Sequence, residues 1–565
     1  MTSKKITETS AWKKLKEHVR EMQMQESHLK NLLLDADRCA RLQRSAEGIL
    51  LDFARQRVKN STIDLLLELA DQTDLKAKVD AMRDGRAINN TENRPVLHYV
   101  LRTSEDPPSE RRPKFGVQDT VAAVLKTRRS IEQFSTEIRS GKLTGSTKEP
   151  LTDVVVIGIG GSYLGTEFVY EALRTDPDCA KEAVGRRLRF LANVDPIDVT
   201  RALEDLEPAN TLVVVVSKTF TTAETMLNAR TVRRWLQKGI ERQDVSAHFV
   251  AVSSAGDLVE EFGIPEKRLF PMWDWVGGRY SVSSAVGILP LALHFGYSAV
   301  DEFLQGARSI DEHFFETPHR NNLPVLMGLL GVWNSTFLGC AARCVLPYCQ
   351  ALLKFAPHIQ QLDMESNGKR VDTSGEELGF DAGEIDFGEP GTNGQHSFYQ
   401  LLHQGRIVPA DFIGFRKSQQ PIEDPDEIVS NHDELMSNFF AQPDALATGK
   451  SWQQVLNEKV PAELAPHKVF PGNRPSNVLL LDQLTPYTTG QLLALYEHRT
   501  AVQGFVWGIN SFDQYGVQLG KVMADSVRDQ IAKCRKNPGS PLGNFNPSTT
   551  ALLESYLGTN IGGDK

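Results

Sequence analysis

The chain has 565 residues, a formal net charge of −9 and a hydrophobic content of 40%. This length predicts roughly two to four domains, each with a substantial apolar core. The acidic balance excludes a general attraction to nucleic acid or to an anionic membrane surface, so an anion site must be a local concentration of donors.

The six cysteines are too few for a disulfide framework in a chain of this length. Cys340, Cys344 and Cys349 lack the C-x2-C spacing that is typical of zinc sites, so we expect buried free thiols in a reducing compartment. No stretch has the character of a membrane span, and the N-terminal residues lack an apolar signal core. These features predict a cytoplasmic protein with no membrane or nucleic-acid partner.

The first hundred residues have a helical pattern, with apolar residues at spacings of three and four between charges over residues 28–57 and 61–84. We therefore expect a helical N-terminal layer over residues 1–115. Residues 102–116 carry prolines and charges with little to bury, which indicates a linker or an exposed loop.

Beyond that loop, short strands alternate with helical segments. The strand candidates rich in β-branched residues are 153–160, 186–194, 210–220 and 247–254, and a second alternation adds 343–350, 406–415 and 477–484, followed by a helix over 484–508. Strands that are apolar on both faces predict a mainly parallel sheet covered by helices on both sides. We expect two doubly wound α/β domains, over residues 116–300 and 301–520, and a C-terminal helix and tail over 521–565.

A glycine-rich turn follows the first of these strands. Tyr163 stands at the third glycine position of a dinucleotide fingerprint, which disfavours a nicotinamide dehydrogenase, and Thr166 stands where a P-loop needs lysine. What remains is a strand, a turn that contains Ser162, and a helix whose free amide groups suit an anion. A purely structural turn is the alternative, because tight turns need glycine anyway.

A second turn repeats this geometry with more donors. Directly after a strand and before a helix it carries Ser217, Lys218, Thr219, Thr221 and Thr222. Such donors suit a phosphate monoester, whereas capping of the helix would need only one hydroxyl. Both turns are predicted at the carboxyl ends of strands in one sheet, where ligands bind in open α/β folds.

Four further stretches combine functional groups with tight turns or glycines. They contribute Arg279, then Gln361, Glu365 and Lys369, then His396, and finally Gln514 and Lys521. Each has a structural alternative: Glu365 and Lys369 could form a surface ion pair, Arg279 could tie down backbone carbonyls, His396 could cap a helix, and Lys521 could be solvated. No metal-binding constellation and no nucleophile elbow is visible.

Seven segments of the chain, taken in order, resemble the signature segments of the glucose-6-phosphate isomerase family. They are residues 156–165, 217–225, 276–281, 361–369, 388–405, 431–442 and 510–521. The resemblance runs from about Trp12 to beyond Lys521. It implies two sugar-isomerase α/β domains with helical extensions, a homodimer and a cofactor-free aldose–ketose isomerisation in glycolysis and gluconeogenesis. Thr166, Ser283 and Gln518 depart from common family residues, but none is at a predicted catalytic position.

The resemblance also implies roles for individual residues. Glu365 would carry a proton between C2 and C1, Arg279 would stabilise the enediolate, and His396 or Lys521 would open the sugar ring, with their order left open. His396 would enter the active site from the neighbouring subunit, and Glu224 would orient its imidazole. The substrate-binding residues would be Gly161 and Ser162 at the sugar, Ser217, Lys218, Thr219 and Thr222 at the phosphate, and Gln361 and Gln514 at the hydroxyl and phosphate ends.

Two rival functions stay open at this point. A sugar-phosphate sensor would keep the phosphate site without turnover, and it predicts loss of the base or of the cation. A different isomerase on the same scaffold would act on mannose 6-phosphate or an aminosugar phosphate, and the shape of the pocket would decide between them.

Overall fold

The computed structural model describes residues 5–104, 118–422 and 424–558. Contacts within the chain divide it into a first unit, Met1–Phe512, and a second unit, Asp513–Lys565. Most of the charged loop predicted over residues 102–116 lies outside the described residues.

The described residues form eleven strands. They are β1 (Gln43–Ala46), β2 (Ile49–Asp52), β3 (Asp153–Ile157), β4 (Arg187–Leu191), β5 (Thr211–Val216), β6 (Phe249–Ser253), β7 (Leu269–Pro271), β8 (Ala342–Pro347), β9 (Ile385–Phe387), β10 (Ala410–Lys417) and β11 (Ser476–Gln483).

The same residues form 22 α-helices. They are α1 (Ser10–Met22), α2 (Leu29–Leu32), α3 (Ala36–Arg41), α4 (Asn60–Gln72), α5 (Leu75–Arg83), α6 (Gln118–Arg139), α7 (Leu164–Leu173), α8 (Pro177–Glu182), α9 (Pro196–Leu203), α10 (Ala223–Ile240), α11 (Gly256–Glu261), α12 (Ala285–Phe295), α13 (Tyr297–Glu316), α14 (Leu323–Val332), α15 (Phe355–Ile359), α16 (Glu365–Asn367), α17 (Tyr399–Gln404), α18 (Asn431–Thr448), α19 (Trp452–Asn457), α20 (Pro486–Trp507), α21 (Gln518–Lys536) and α22 (Pro547–Leu557).

The first sheet is parallel throughout and has the order β4-β3-β5-β6-β7. All residues of β3, β5 and β6 are buried, which confirms the prediction of strands covered on both faces for these three. The prediction was wrong for β4, which is only partly buried. Ile157 at the end of β3 pairs with Val215 near the end of β5. The two donor-rich turns that follow these strands therefore lie side by side at one edge of the sheet.

The second sheet has the order β1-β2-β11-β10-β8-β9. Its four later strands are parallel, whereas β2 runs antiparallel to both of its neighbours, β1 and β11. The hairpin β1–β2 corrects the helical prediction over residues 28–57. Ile49 and Leu51 are buried while Leu50 and Asp52 are half-buried, so burial alternates with a period of two along β2. The alternation covers only four residues, and the surrounding residues have helical spacing, so the sequence pattern does not reveal the strand.

The predicted helix over residues 484–508 is confirmed as α20, and nearly all of its residues are buried. It packs against α13 and α14, so its charged residues find partners inside the core. In the described part of the chain, no helix combines the length and the apolar character needed to cross a membrane. The six cysteines are free; four are buried and Cys39 and Cys349 are half-buried, so the prediction of buried thiols was wrong for these two.

Candidate active site

The glycine turn after β3 brings two distant segments into backbone contact. A Cβ added to Gly161 would lie only 2.3 Å from the carbonyl carbon of Gly278, so no side chain fits there. Ser281 donates a hydrogen bond from Oγ to the carbonyl oxygen of Gly161 (3.1 Å). Gly160 has a φ of 60°, which glycine adopts freely. Glycine is thus needed here because the segment that carries Arg279 packs directly on the turn.

The second turn, residues 217–222, connects β5 to the 18-residue helix α10. Phe220 is buried and has a φ of 55°, which turns the loop back over the strand end. Thr222 precedes the helix, yet its side chain makes no capping hydrogen bond to α10. Ser217 Oγ instead donates to Thr222 Oγ1 (3.4 Å), and Lys218 Nζ lies 3.2 Å from Asp274 Oδ1. Helix capping by Thr222, the structural alternative for this turn, is not observed.

Arg279 is held by three neighbours and is only 1% exposed. Its Nε donates to Ser366 Oγ (2.6 Å), its Nη2 donates to the carbonyl oxygen of Ser511 (2.7 Å), and its Nη1 lies 3.5 Å from Glu365 Oε1. The guanidinium does bind a backbone carbonyl, as the structural alternative holds, but it also faces the predicted base. A fixed positive charge beside a carboxylate is the arrangement that proton transfer through an enediolate requires.

Glu365 follows a π-helical turn, Gln360–Met364, at the start of α16. Turns of this kind are frequent at functional sites. The Glu365 side chain keeps 21% exposure, so a ligand can reach the carboxylate. Gln361 lies in the same turn, with its Nε2 3.3 Å from the position that a Cβ of Gly160 would take. Its Oε1 is buried and has no hydrogen-bond partner among the described residues, which leaves an acceptor next to the glycine turn.

A second layer of buried residues fixes the segment that carries Glu365. Ser511 donates from Oγ to Asn367 Oδ1 (2.8 Å), and Asn367 donates from Nδ2 to Asp363 Oδ1 (3.0 Å). Arg343 and Arg499 both pair with Asp363, at 3.1 and 2.6 Å. Burial raises the pKa of Asp363, and the two arginines act against that rise.

Tyr280 supports the arginine from the other side. Its hydroxyl lies 2.9 Å from Ser366 Oγ, and burial raises its pKa to about 12, so it stays neutral. No sequence pattern marks Ser366, Ser511 or Tyr280 as functional, although each lies within one of the segments that resemble the family. The only signal in the sequence is position: Tyr280 directly follows Arg279, Ser366 directly follows Glu365, and Ser511 lies in the same stretch as Gln514.

Two of the remaining predicted residues, His396 and Glu224, are not among the side chains that contact Arg279 or Glu365 in the described part of the chain. His396 is exposed in the turn Asn393–His396, and Glu224 is exposed in the first turn of α10; neither side chain makes a hydrogen bond within the described residues. Gln514 and Lys521 are exposed residues of the second unit, Lys521 on α21. Their roles stay predictions. No cluster of three His, Cys, Asp or Glu side chains suited to a metal ion occurs in the part of the chain that the structure describes.

Known proteins resemble this chain over almost its full length. A family model described as phosphoglucose isomerase matches residues 52–553. Over 554 residues the chain is 58% identical to the cytosolic glucose-6-phosphate isomerase of Arabidopsis lyrata subsp. petraea, covering 98% of both proteins. It is 57% identical to that of Zea mays over 98% of this chain and 96% of the relative. The structure of a glucose-6-phosphate isomerase from Chlamydia trachomatis matches with a TM-score of 0.82 at 33% identity, covering 99% of this chain and 100% of the other.

The two mainly parallel sheets of the α/β fold, with Arg279 and Glu365 beside the donor-rich turns that follow two strands, define the class of sugar-phosphate isomerases. The similarity to known proteins over almost the whole length identifies the family within this class. The chain belongs to the phosphoglucose isomerase family.

Proposed function

We propose that this enzyme interconverts glucose 6-phosphate and fructose 6-phosphate in the cytoplasm, as a step of glycolysis and gluconeogenesis. Membership of the family and the names of its cytosolic relatives support this assignment. The observation that carries the mechanism is the distance of 3.5 Å between Arg279 Nη1 and Glu365 Oε1, beside the glycine turn. The same proposal keeps the domain boundaries at residues 115, 300 and 520.

The phosphate group of the substrate is bound by the enzyme but takes no part in the reaction. Ser217, Lys218, Thr219 and Thr222 would hold it at the N-terminus of α10, whose positive dipole end favours a dianion. Gly161 and Ser162 would contact the sugar at the neighbouring strand end. Binding energy from this remote group can then hold the open chain against Glu365 in a reactive geometry.

Proton transfer would use the partly exposed Glu365 and the buried Arg279. The carboxylate takes the C2 proton of the aldose and returns it to C1, and general-base catalysis of this kind contributes ~10² to 10⁴ in rate. Arg279 stabilises the negative charge of the enediolate, an effect commonly worth about 3 to 4 kcal/mol. Because Ser366 and Ser511 already hold the guanidinium, it does not need to move during the reaction.

Ring opening would use His396 or Lys521. His396 is exposed in one subunit, which is compatible with its entry into the site of a second subunit of a homodimer. Glu224 would orient the imidazole there. Gln361, whose buried Oε1 has no partner among the described residues, would accept a hydrogen bond from a substrate hydroxyl. Gln514 would contact the phosphate end of the substrate.

A coupled assay with fructose 6-phosphate tests the base. Glu365→Gln should lower kcat by about 10² or more, because the amide cannot accept the proton. The exposed Glu427→Gln is the matched control and should keep full activity. Wild-type turnover by Glu365→Gln would refute the role of this carboxylate. The absence of turnover in the wild type would favour a sensor, and faster turnover of mannose 6-phosphate would favour a different isomerase.

The dimer is tested separately by mixing two inactive variants, Glu365→Gln and His396→Asn. After refolding together, half of the dimers contain one subunit of each kind, and each such dimer has one complete site. About a quarter of wild-type activity should therefore return. If no activity returns although mixed dimers form, His396 does not serve the neighbouring site.

A further inference from the structure

A cavity of about 540 Å³ lies in the first unit, between α4, α5 and the C-terminal end of α20. None of the residues given a role in isomerisation lines it. Its walls combine polar residues with apolar ones, and the apolar residues include Ile6, Ala77, Ala81, Leu378, Phe505 and Trp507. The volume and this lining are typical of sites for small organic molecules.

One cation faces this cavity without a counter-ion. Lys78 on α5 donates from Nζ to the carbonyl oxygen of Phe505 (2.5 Å), and among the described residues no carboxylate lies within 4 Å of its ammonium group. An ammonium group has three protons to donate, so further acceptors can bind. Burial lowers the pKa of Lys78 to about 8, and the nearby Asp74 acts against this shift.

The other ionisable groups of the cavity wall are engaged elsewhere or lie at its rim. Lys5 forms an ion pair with Glu376, and Glu377 forms one with Arg370. Asp372 accepts hydrogen bonds from the backbone amides of the loop that follows it, and Asp74 is exposed. Lys78 is therefore the wall cation whose charge is left for a ligand.

We propose that this cavity binds a small amphipathic anion, a carboxylate attached to an apolar body. The carboxylate contacts the Lys78 ammonium group, and the apolar body packs against Leu378, Phe505 and the alanines of α5. A partly dehydrated cation gains strongly from a hydrogen-bonded counter-ion.

The probe for the test is 4-phenylbutyrate, with binding measured by isothermal titration calorimetry at pH 6.5. Lys78→Met should weaken binding about tenfold or more, as expected for loss of a charged hydrogen bond. Lys76→Met is the matched control, because Lys76 lies on the same helix, is exposed and pairs with Asp80. It should bind the probe as the wild type does. The neutral analogue 4-phenylbutanol should bind the wild type about tenfold more weakly.

The wild type alone gives a second readout, which holds even if Lys78→Met does not fold. The carboxylate stabilises the ammonium form and raises the pKa of Lys78, so binding at pH 8 takes up a proton and its heat depends on the buffer. The affinity should be constant below pH 7 and fall as the pH rises through about 8. Absence of binding, equal binding by Lys78→Met, or an affinity that does not change with pH would overturn the proposal.

Discussion

Gly161→Ala tests the geometry of the site with a single added carbon. The new Cβ would lie 2.3 Å from the carbonyl carbon of Gly278, whereas ordinary contact begins at 3.4 Å, so the two turns must separate by the difference of about 1.1 Å. Because Arg279 follows Gly278 directly, this movement displaces the guanidinium from Glu365 and Ser366. A misplacement of about 1 Å can cost about 10² in rate, so we expect kcat to fall about a hundredfold.

The matched control approaches the same contact from the other side. A Cβ added to Gly278 would lie 3.7 Å from Gly161 Cα, which is an ordinary contact, and the φ of Gly278 is not positive. Gly278→Ala should therefore keep kcat within a few-fold of the wild type. Steady-state kinetics with fructose 6-phosphate give kcat for both variants, and thermal unfolding shows that both are folded at the assay temperature.

Two results would refute this reasoning. A folded Gly161→Ala enzyme with wild-type kcat would mean that the contact between the turns does not position Arg279. An equal loss in both variants would mean that an added methyl group harms the site for a reason other than the clash at Gly161.

Three further predictions concern buried charges. Arg279→Lys should lower kcat about 10²-fold or more in the coupled assay, because a compact ammonium group lacks the planar fork of separate nitrogens that reaches Ser366, the Ser511 carbonyl and Glu365 at once. Burial lowers the pKa of His358 to about 4, so between pH 6.5 and 4 the unfolded chain binds a proton that the folded chain does not, and stability falls as the pH falls. His358→Leu should therefore lose less stability than the wild type between pH 7 and 5, as measured by urea unfolding; an equal loss would contradict this. Arg343→Met should lower the free energy of unfolding by ~3–5 kcal/mol in the same assay, because it removes the cation shared by four buried carboxylates, of which only Asp363 and Glu384 also pair with Arg499; a change below 1 kcal/mol would contradict that.

Four strands of the first sheet, β3 to β6, were predictable because the information for them is local. The apolar runs of β3 and β5 mark strands buried on both faces, and the glycines and hydroxyls that follow mark turns before helices. In a parallel sheet such turns share one edge, so the proximity of the two donor-rich loops followed from the pattern alone.

The hairpin β1–β2 and the short strands β7 and β9 were not predictable in this way. Each has three or four residues, which is too short to show a period of two. They are strands because a neighbouring strand offers its hydrogen-bonding edge: β2 pairs with β11, which lies more than 400 positions further along the chain. Pairing over such a distance leaves no trace in the local pattern.

The amino-acid sequence by itself determined the chemistry available at each turn and the order of the elements that carry it. Only the tertiary structure decided which groups meet. Arg279 reaches Ser366 across 87 positions and the Ser511 carbonyl across 232. These contacts depend on how whole elements pack. The helix α20 leads to Ser511, the π-helical turn positions Glu365, and the backbones of Gly161 and Gly278 are in contact. A local sequence pattern holds no information about contacts over such distances, because the packing of the core determines them.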